Sequence, residues 1–112
     1  MAVAEYMDIA GLCRVDATVN PPVFLNNSGV FASITDVGVG IYRLNRDTDI
    51  GVGWPAASVI VKVTSEGGVA GAAFSVATYV LVSEDIIEVR LFDAAGYAED
   101  GRFSFEVRQI QR

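Results

Sequence analysis

Histidine is absent from this chain and cysteine occurs only once. A zinc or haem site draws its ligands from those residue types, so both are practically excluded. The single Cys13 cannot form an intrachain disulfide, and the sequence gives no sign of an oxidising compartment. It sits in the apolar run Gly11-Leu12-Cys13-Arg14-Val15, with no His or Lys near it to lower its pKa. It reads as a small buried hydrophobe rather than a reactive thiol. Positive charge is scarce too: eight Lys and Arg stand against fourteen Asp and Glu, a net charge of −6. That balance argues against nucleic acid as a partner, because tracking phosphates needs a positive field. The acidic residues are scattered and form no tail, so they read as a solvated surface. No apolar run approaches the roughly 18 residues a membrane helix requires, and no membrane role is expected. The opening MAVAEYMDIAGLC has no basic n-region, and Glu5 and Asp8 interrupt its apolar residues. It is not read as a secretory signal, and synthesis in a cytoplasm is expected.

What the chain does have is β signal. Hydrophobic residues make up 52% of its 112 residues and charged ones 20%, an imbalance that excludes disorder and favours burial against a partner. Val, Ile, Thr, Phe and Tyr recur in short runs, separated by Gly, Asn, Asp and Pro. The runs predict strands at Leu12–Val19, Val30–Thr35, Val39–Asn45, Ser58–Thr64, Phe74–Val82, Ile86–Phe92 and Arg102–Ile110, with a short edge piece at Val23–Leu25. Pro21-Pro22 ends the first, since two prolines remove two donors and fix two φ angles. Ile86–Phe92 and Arg102–Ile110 read as a final hairpin across a Gly- and Asp-rich turn. Ala2–Ile9 is the one helical candidate; it lacks an N-cap and is taken as an arm or a single turn. Seven to eight short, evenly spaced strands predict an all-β chain, an antiparallel β-sandwich or jelly roll, with an up-and-down barrel as the other option. Residues 1–25 are assigned as an N-terminal arm and first strand, and residues 26–112 as the sandwich.

Chemistry has few places to hide. The carboxylate pairs Asp47/Asp49 and Glu99/Asp100 fall in predicted loops, where acidic residues serve turns and solubility. Asp47-Thr48-Asp49-Ile50-Gly51 begins like a calcium loop but lacks a third alternating oxygen ligand and the closing Glu. Asp93, Gly96 and Asp100 are better explained as turn residues than as cation ligands. Gly38-Val39-Gly40 and Gly51-Val52-Gly53 precede no helical pattern, so the dinucleotide fingerprint fails. No catalytic residue, cofactor or metal is assigned, and an enzyme is not expected.

Partner contacts leave a clearer trace. Phe103, Phe105 and Val107 share one face of the last strand, opposite Arg102, Ser104, Glu106 and Arg108. Ile87, Val89 and Leu91 do the same opposite Glu88 and Arg90. The Phe74–Val82 strand differs: Phe74, Val76, Val80 and Val82 line one face, and Ala77, Tyr79 and Leu81 the other. Two apolar faces call for cover on both sides, and a second subunit is the simple cover. Phe74, Val76, Tyr79 and Leu81 are therefore candidate interface residues, with Ile41 as a weaker case. Trp54, before Pro55, is assigned to the core or to that interface, ahead of a ligand platform.

Three segments together carry a family resemblance. They are Gly38-Val-Gly-Ile-Tyr-Arg-Leu44, the strand Val59–Val63, and Asp93-x-x-Gly96 followed by Asp100-Gly-x-Phe103-Ser-Phe105-x-Val107. From about residue 30 to 110 the chain resembles small β-sandwich virion proteins of tailed bacteriophages, which carry a G-x-Y-x-(V/L) strand mid-chain and a D-G-x-F-S-F-x-V strand at the C-terminus. The resemblance implies a head decoration (cement) protein that binds the major capsid protein, often as a trimer, or alternatively a fibre or spike domain. It also implies an extended N-terminal arm gripping the shell, which would use Tyr6, Met7, Ile9 and Leu12. From another class, a small sugar-binding sandwich module would need an aromatic platform around Trp54 and Tyr97.

Overall fold

Phe103, Phe105 and Val107 are fully buried, and the charged residues that alternate with them face outward. The structure, a computed structural model, describes residues 6–49, 53–55, 58–68 and 76–111. Among them are eight strands: β1 (Tyr6–Asp16), β2 (Val23–Asn27), β3 (Phe31–Gly38), β4 (Ile41–Arg46), β5 (Val59–Gly68), β6 (Val76–Ser83), β7 (Ile86–Phe92) and β8 (Gly101–Gln111). They form two antiparallel sheets, in the orders β2-β1-β8-β5 and β3-β4-β7-β6. The chain is a β-sandwich, and the sheets are hydrogen-bonded separately rather than closed into a barrel.

The core lies between the sheets. The first sheet contributes Cys13, Val15, Val61, Phe103, Phe105 and Val107; the second contributes Phe31, Tyr42, Leu44, Ile87, Val89 and Leu91. Phe31 is the hub, with its ring centroid 5.6 Å from Trp54 and 5.7 Å from Phe105. Tyr42 stacks on Phe103 at 6.1 Å. Phe31 also packs onto Gly11, where an added Cβ would come within 2.9 Å of the ring. Gly11 lies at an irregularity in the β1–β8 register, so the bare backbone there makes room for the aromatic hub.

The last two strands do not form a hairpin. β7 already has β4 on one side and β6 on the other, so it has no free edge to offer β8. The turn signals are real: the Asp93 carboxylate accepts the Ala95 and Tyr97 N–H groups, and Ala98 bridges back to Phe92. The chain then crosses to the first sheet, where β8 fills the gap between β1 and β5. Both strands alternate because they face one core from opposite sides.

The N-terminal segment is not a detached arm. Tyr6–Asp16 pairs along its length with β8, and its second half pairs also with β2. The expected helical turn is strand from Tyr6 onward, and Ala2–Glu5 lie outside the described residues. β1 ends at Asp16, short of the expected Val19 and five residues before Pro21, and it is an inner strand of the sheet, with Cys13 and Val15 in the core. The turn expected at Asp36–Gly38 falls two residues later. β3 runs to Gly38, and Gly40 takes a φ of +69°, where a Cβ would meet the Leu91 carbonyl at 2.7 Å.

Candidate functional site

The outer surfaces of the two sheets differ in chemistry. On the first sheet Arg14 reaches from β1 across β8 to Glu66 of β5, with Nη2 to Oε1 at 2.6 Å. Arg102 faces Asp16 at 3.3 Å, and Arg108 pairs with Glu106. The Thr18 hydroxyl, with help from Arg102, holds the Asp16 carboxyl below its usual range against the opposing effect of burial. Leu12 and Ile60 stand exposed among these charges.

The second sheet has one charged cluster at its centre and an apolar strip at its edge. Glu88 of β7 points outward yet is only 5% exposed, because Arg43 of β4 and Arg90 cover it. Arg90 Nε donates to its Oε2 at 2.8 Å and Arg43 Nε to its Oε1 at 3.1 Å. These bonds, Arg90 first, hold the Glu88 carboxyl below its usual range despite its burial. Next to this cluster β6 forms the edge of the sheet. Val76, Val80 and Val82 are between 41% and 45% exposed there, with Thr78 between them. On the inner side Ala77 and Leu81 pack against the core, and Tyr79 is 42% exposed. Tyr79, Thr78 and Ala77 line a cleft of about 420 Å³ with Val61, Lys62 and Val63 of β5.

Val76, Tyr79 and Leu81 all lie on β6, Val76 on the outer side and Tyr79 and Leu81 on the inner, with Leu81 packed against the core; Phe74 lies outside the described residues. Ile41 is half-buried on the outer surface of the same sheet, two strands away, in one row with Arg90 and Thr78. Of the two places expected for Trp54, core or interface, the structure shows the core. It is 2% exposed, packed on Phe31, and its backbone N–H donates to the Glu84 carbonyl at 2.7 Å. That also removes half of the aromatic platform a sugar site would need, leaving Tyr97 exposed alone. Of the arm residues, Leu12 is exposed on the first sheet, and the backbones of Tyr6, Met7 and Ile9 belong to β1. The Arg43–Glu88–Arg90 cluster was not foreseen. The alternation of β7 placed Glu88 and Arg90 outward, but only the β4–β7 register brings Arg43 alongside.

Of the carboxylates considered for catalysis, Asp47 and Asp100 are engaged by hydrogen bonds, while Glu99 Oε1 is buried with no hydrogen-bond partner among the described residues. Asp47 accepts the Asp49 N–H at 2.9 Å, and Asp100 accepts the Gly40 N–H at 2.9 Å and the Tyr42 hydroxyl. Burial, and then the facing Asp100, push the Tyr42 hydroxyl above its usual range. Burial pushes the Cys13 thiol up to about 12, as suits an inert core residue. Among the described residues no three Asp, Glu or Cys side chains gather as a metal-holding group, and no helix is long and apolar enough to cross a membrane.

No known protein family, curated protein or solved structure matches this chain.

Proposed function

We propose that this protein is a non-enzymatic structural component of a virus particle, a decoration or cement protein that self-associates and binds the outside of a capsid shell. The observation that carries the reading is β6, an edge strand with four exposed apolar side chains, Val76, Tyr79, Val80 and Val82, and no charge. A solitary soluble protein blunts such an edge with Lys, Pro or bulges, whereas one that assembles keeps it open. The resemblance of the Gly40–Leu44 and Asp100–Val107 strands to phage virion proteins supplies the shell as the partner.

In this reading the shell contact sits on a face of the folded domain. The outer surface of the first sheet suits it, with Leu12 and Ile60 set among Arg14, Lys62, Arg102 and Arg108. Apolar anchors within a rim of exchangeable charges are common in protein interfaces. The test is to mix the pure protein with empty phage shells and follow binding by light scattering and the shells' melting temperature. Saturable binding that raises the melting temperature is expected, weakened by Leu12→Asp with Ile60→Asp. Shells left unbound and unprotected would remove the cement reading.

A further inference from the structure

We propose that β6 pairs with β6 of a second copy, antiparallel about a two-fold axis at Tyr79, so that the two second sheets become one sheet of eight strands. The inference rests on the self-association reading above and specifies a two-fold contact where the family resemblance implies three copies.

Each sheet has two edges, and three of the four are blunted. β2 follows Pro21-Pro22 and ends in Asn26-Asn27. β3 carries Asp36 and register irregularities near both ends. β5 carries Lys62 and Glu66 and a bulge near Ser65. β6 alone has eight residues with no Pro and no charge, and its one irregularity lies at its very end, between Leu81 and Ser83. Its backbone pairs with β7 on one side; on the other, β5 of the first sheet comes near across the cleft, but among the described residues no strand is hydrogen-bonded to it. An unpaired row of N–H and C=O groups is matched best by another strand.

Charge favours a second copy as that strand. Each chain carries −6, so two copies repel over most of their surfaces. β2 and β6 are the two edges whose own residues carry no charge, and β6 is the longer, with eight residues against five.

Register follows from the pleat. Residues directly opposite in an antiparallel pair point to the same side of the sheet. With the axis at Tyr79, Val76 meets Val82 and Thr78 meets Val80 on the outer side, while Ala77 meets Leu81 on the inner side. Every residue from Val76 to Val82 then has a partner. Moving the axis one residue toward the C-terminus would set Val76 against Glu84, beyond the strand. Tyr79, half-exposed at the mouth of the cleft, meets its own counterpart, and the two rings would close the cleft mouths.

Sedimentation of the full chain at micromolar concentration is expected to show dimers or even multiples of them. Val80→Lys, a change on the outer side, is expected to give a folded monomer, its fold checked by circular dichroism. Tyr79→Cys should cross-link to its counterpart under mild oxidation, since opposed Cα atoms sit about 4.5–5.5 Å apart and disulfides span about 4.4–6.8 Å. The native Cys13 is fully buried and does not compete, and an Ile60→Cys control on β5 should stay unlinked. A trimer would overturn the two-fold pairing and leave self-association standing. A monomeric wild-type chain would overturn both. A dimeric Tyr79→Cys variant that fails to cross-link would overturn the pairing through β6.

Discussion

β1 and β6 are both antiparallel strands with apolar inner sides, yet they hold opposite positions. β1 has β2 and β8 as neighbours and gives Cys13 and Val15 wholly to the core. Among the described residues β6 is hydrogen-bonded to β7 alone, and it leaves Val76, Tyr79, Val80 and Val82 partly in solvent. β1 varies its outer side with Arg14 and Asp16, whereas β6 places only Thr78 among its valines. The inner strand carries charge outward and the edge strand carries none, the reverse of what protects a solitary sandwich. The first strand serves the fold, and the second is the one the proposed self-association would use.

That contrast can be broken at several strengths. Removing β1 should have the largest effect. A chain starting at Val23 loses a strand that bridges β2 to β8, and it is expected to show no cooperative urea transition. A truncated chain that melts like the full one would make β1 dispensable. Next comes Phe105→Ala, expected to cost about 3–5 kcal/mol, a large part of a total of about 5–15. Phe105 touches the Phe31 hub, so its urea midpoint should fall sharply.

Glu88→Gln is expected to cost about 1–2 kcal/mol, reduced from a buried charged pair because Arg43 and Arg90 are half exposed. The sign with pH follows from the lowered carboxyls of Glu88 and Asp16. Their stabilisation is present above their ordinary values of 4.5 and 3.8 and is lost as pH falls through the lower folded-state values. The urea midpoint should therefore drop between about pH 5 and pH 2, and drop less in Glu88→Gln than in the wild type. The smallest effect on the fold is expected from Val82→Lys and Ile60→Lys, each within about 0.5 kcal/mol for a surface site. They should part company in sedimentation, where Val82→Lys weakens association and Ile60→Lys does not.

Periodicity in the sequence reads which side of a strand is apolar, and there it served well. Phe103, Phe105 and Val107 are buried as their spacing implied, and Ile86–Phe92 is a strand over the residues expected. It says nothing of what lies beside the strand. β7 and β8 share a turn signal but not a sheet, because β4 and β6 already occupy both sides of β7. Trp54 sits in an irregular segment with no periodicity to read, so the sequence left it between core and interface and did not show its packing on Phe31. The cover over Glu88 needed Arg43, 45 positions away in sequence.

The order of the strands also has a consequence for synthesis. β3, β4, β6 and β7 have all been made by Phe92, so the second sheet can close before β8 exists. The first sheet cannot, because β1 and β5 join only through β8. A chain in which β8 has not yet docked can therefore hold one closed sheet with a bare inner side and two unjoined pieces of the other. During that interval the uncharged edge of β6 is already formed. In that state the β6 edge, which carries no charge, is the surface through which two incomplete chains would meet under the self-association proposed above.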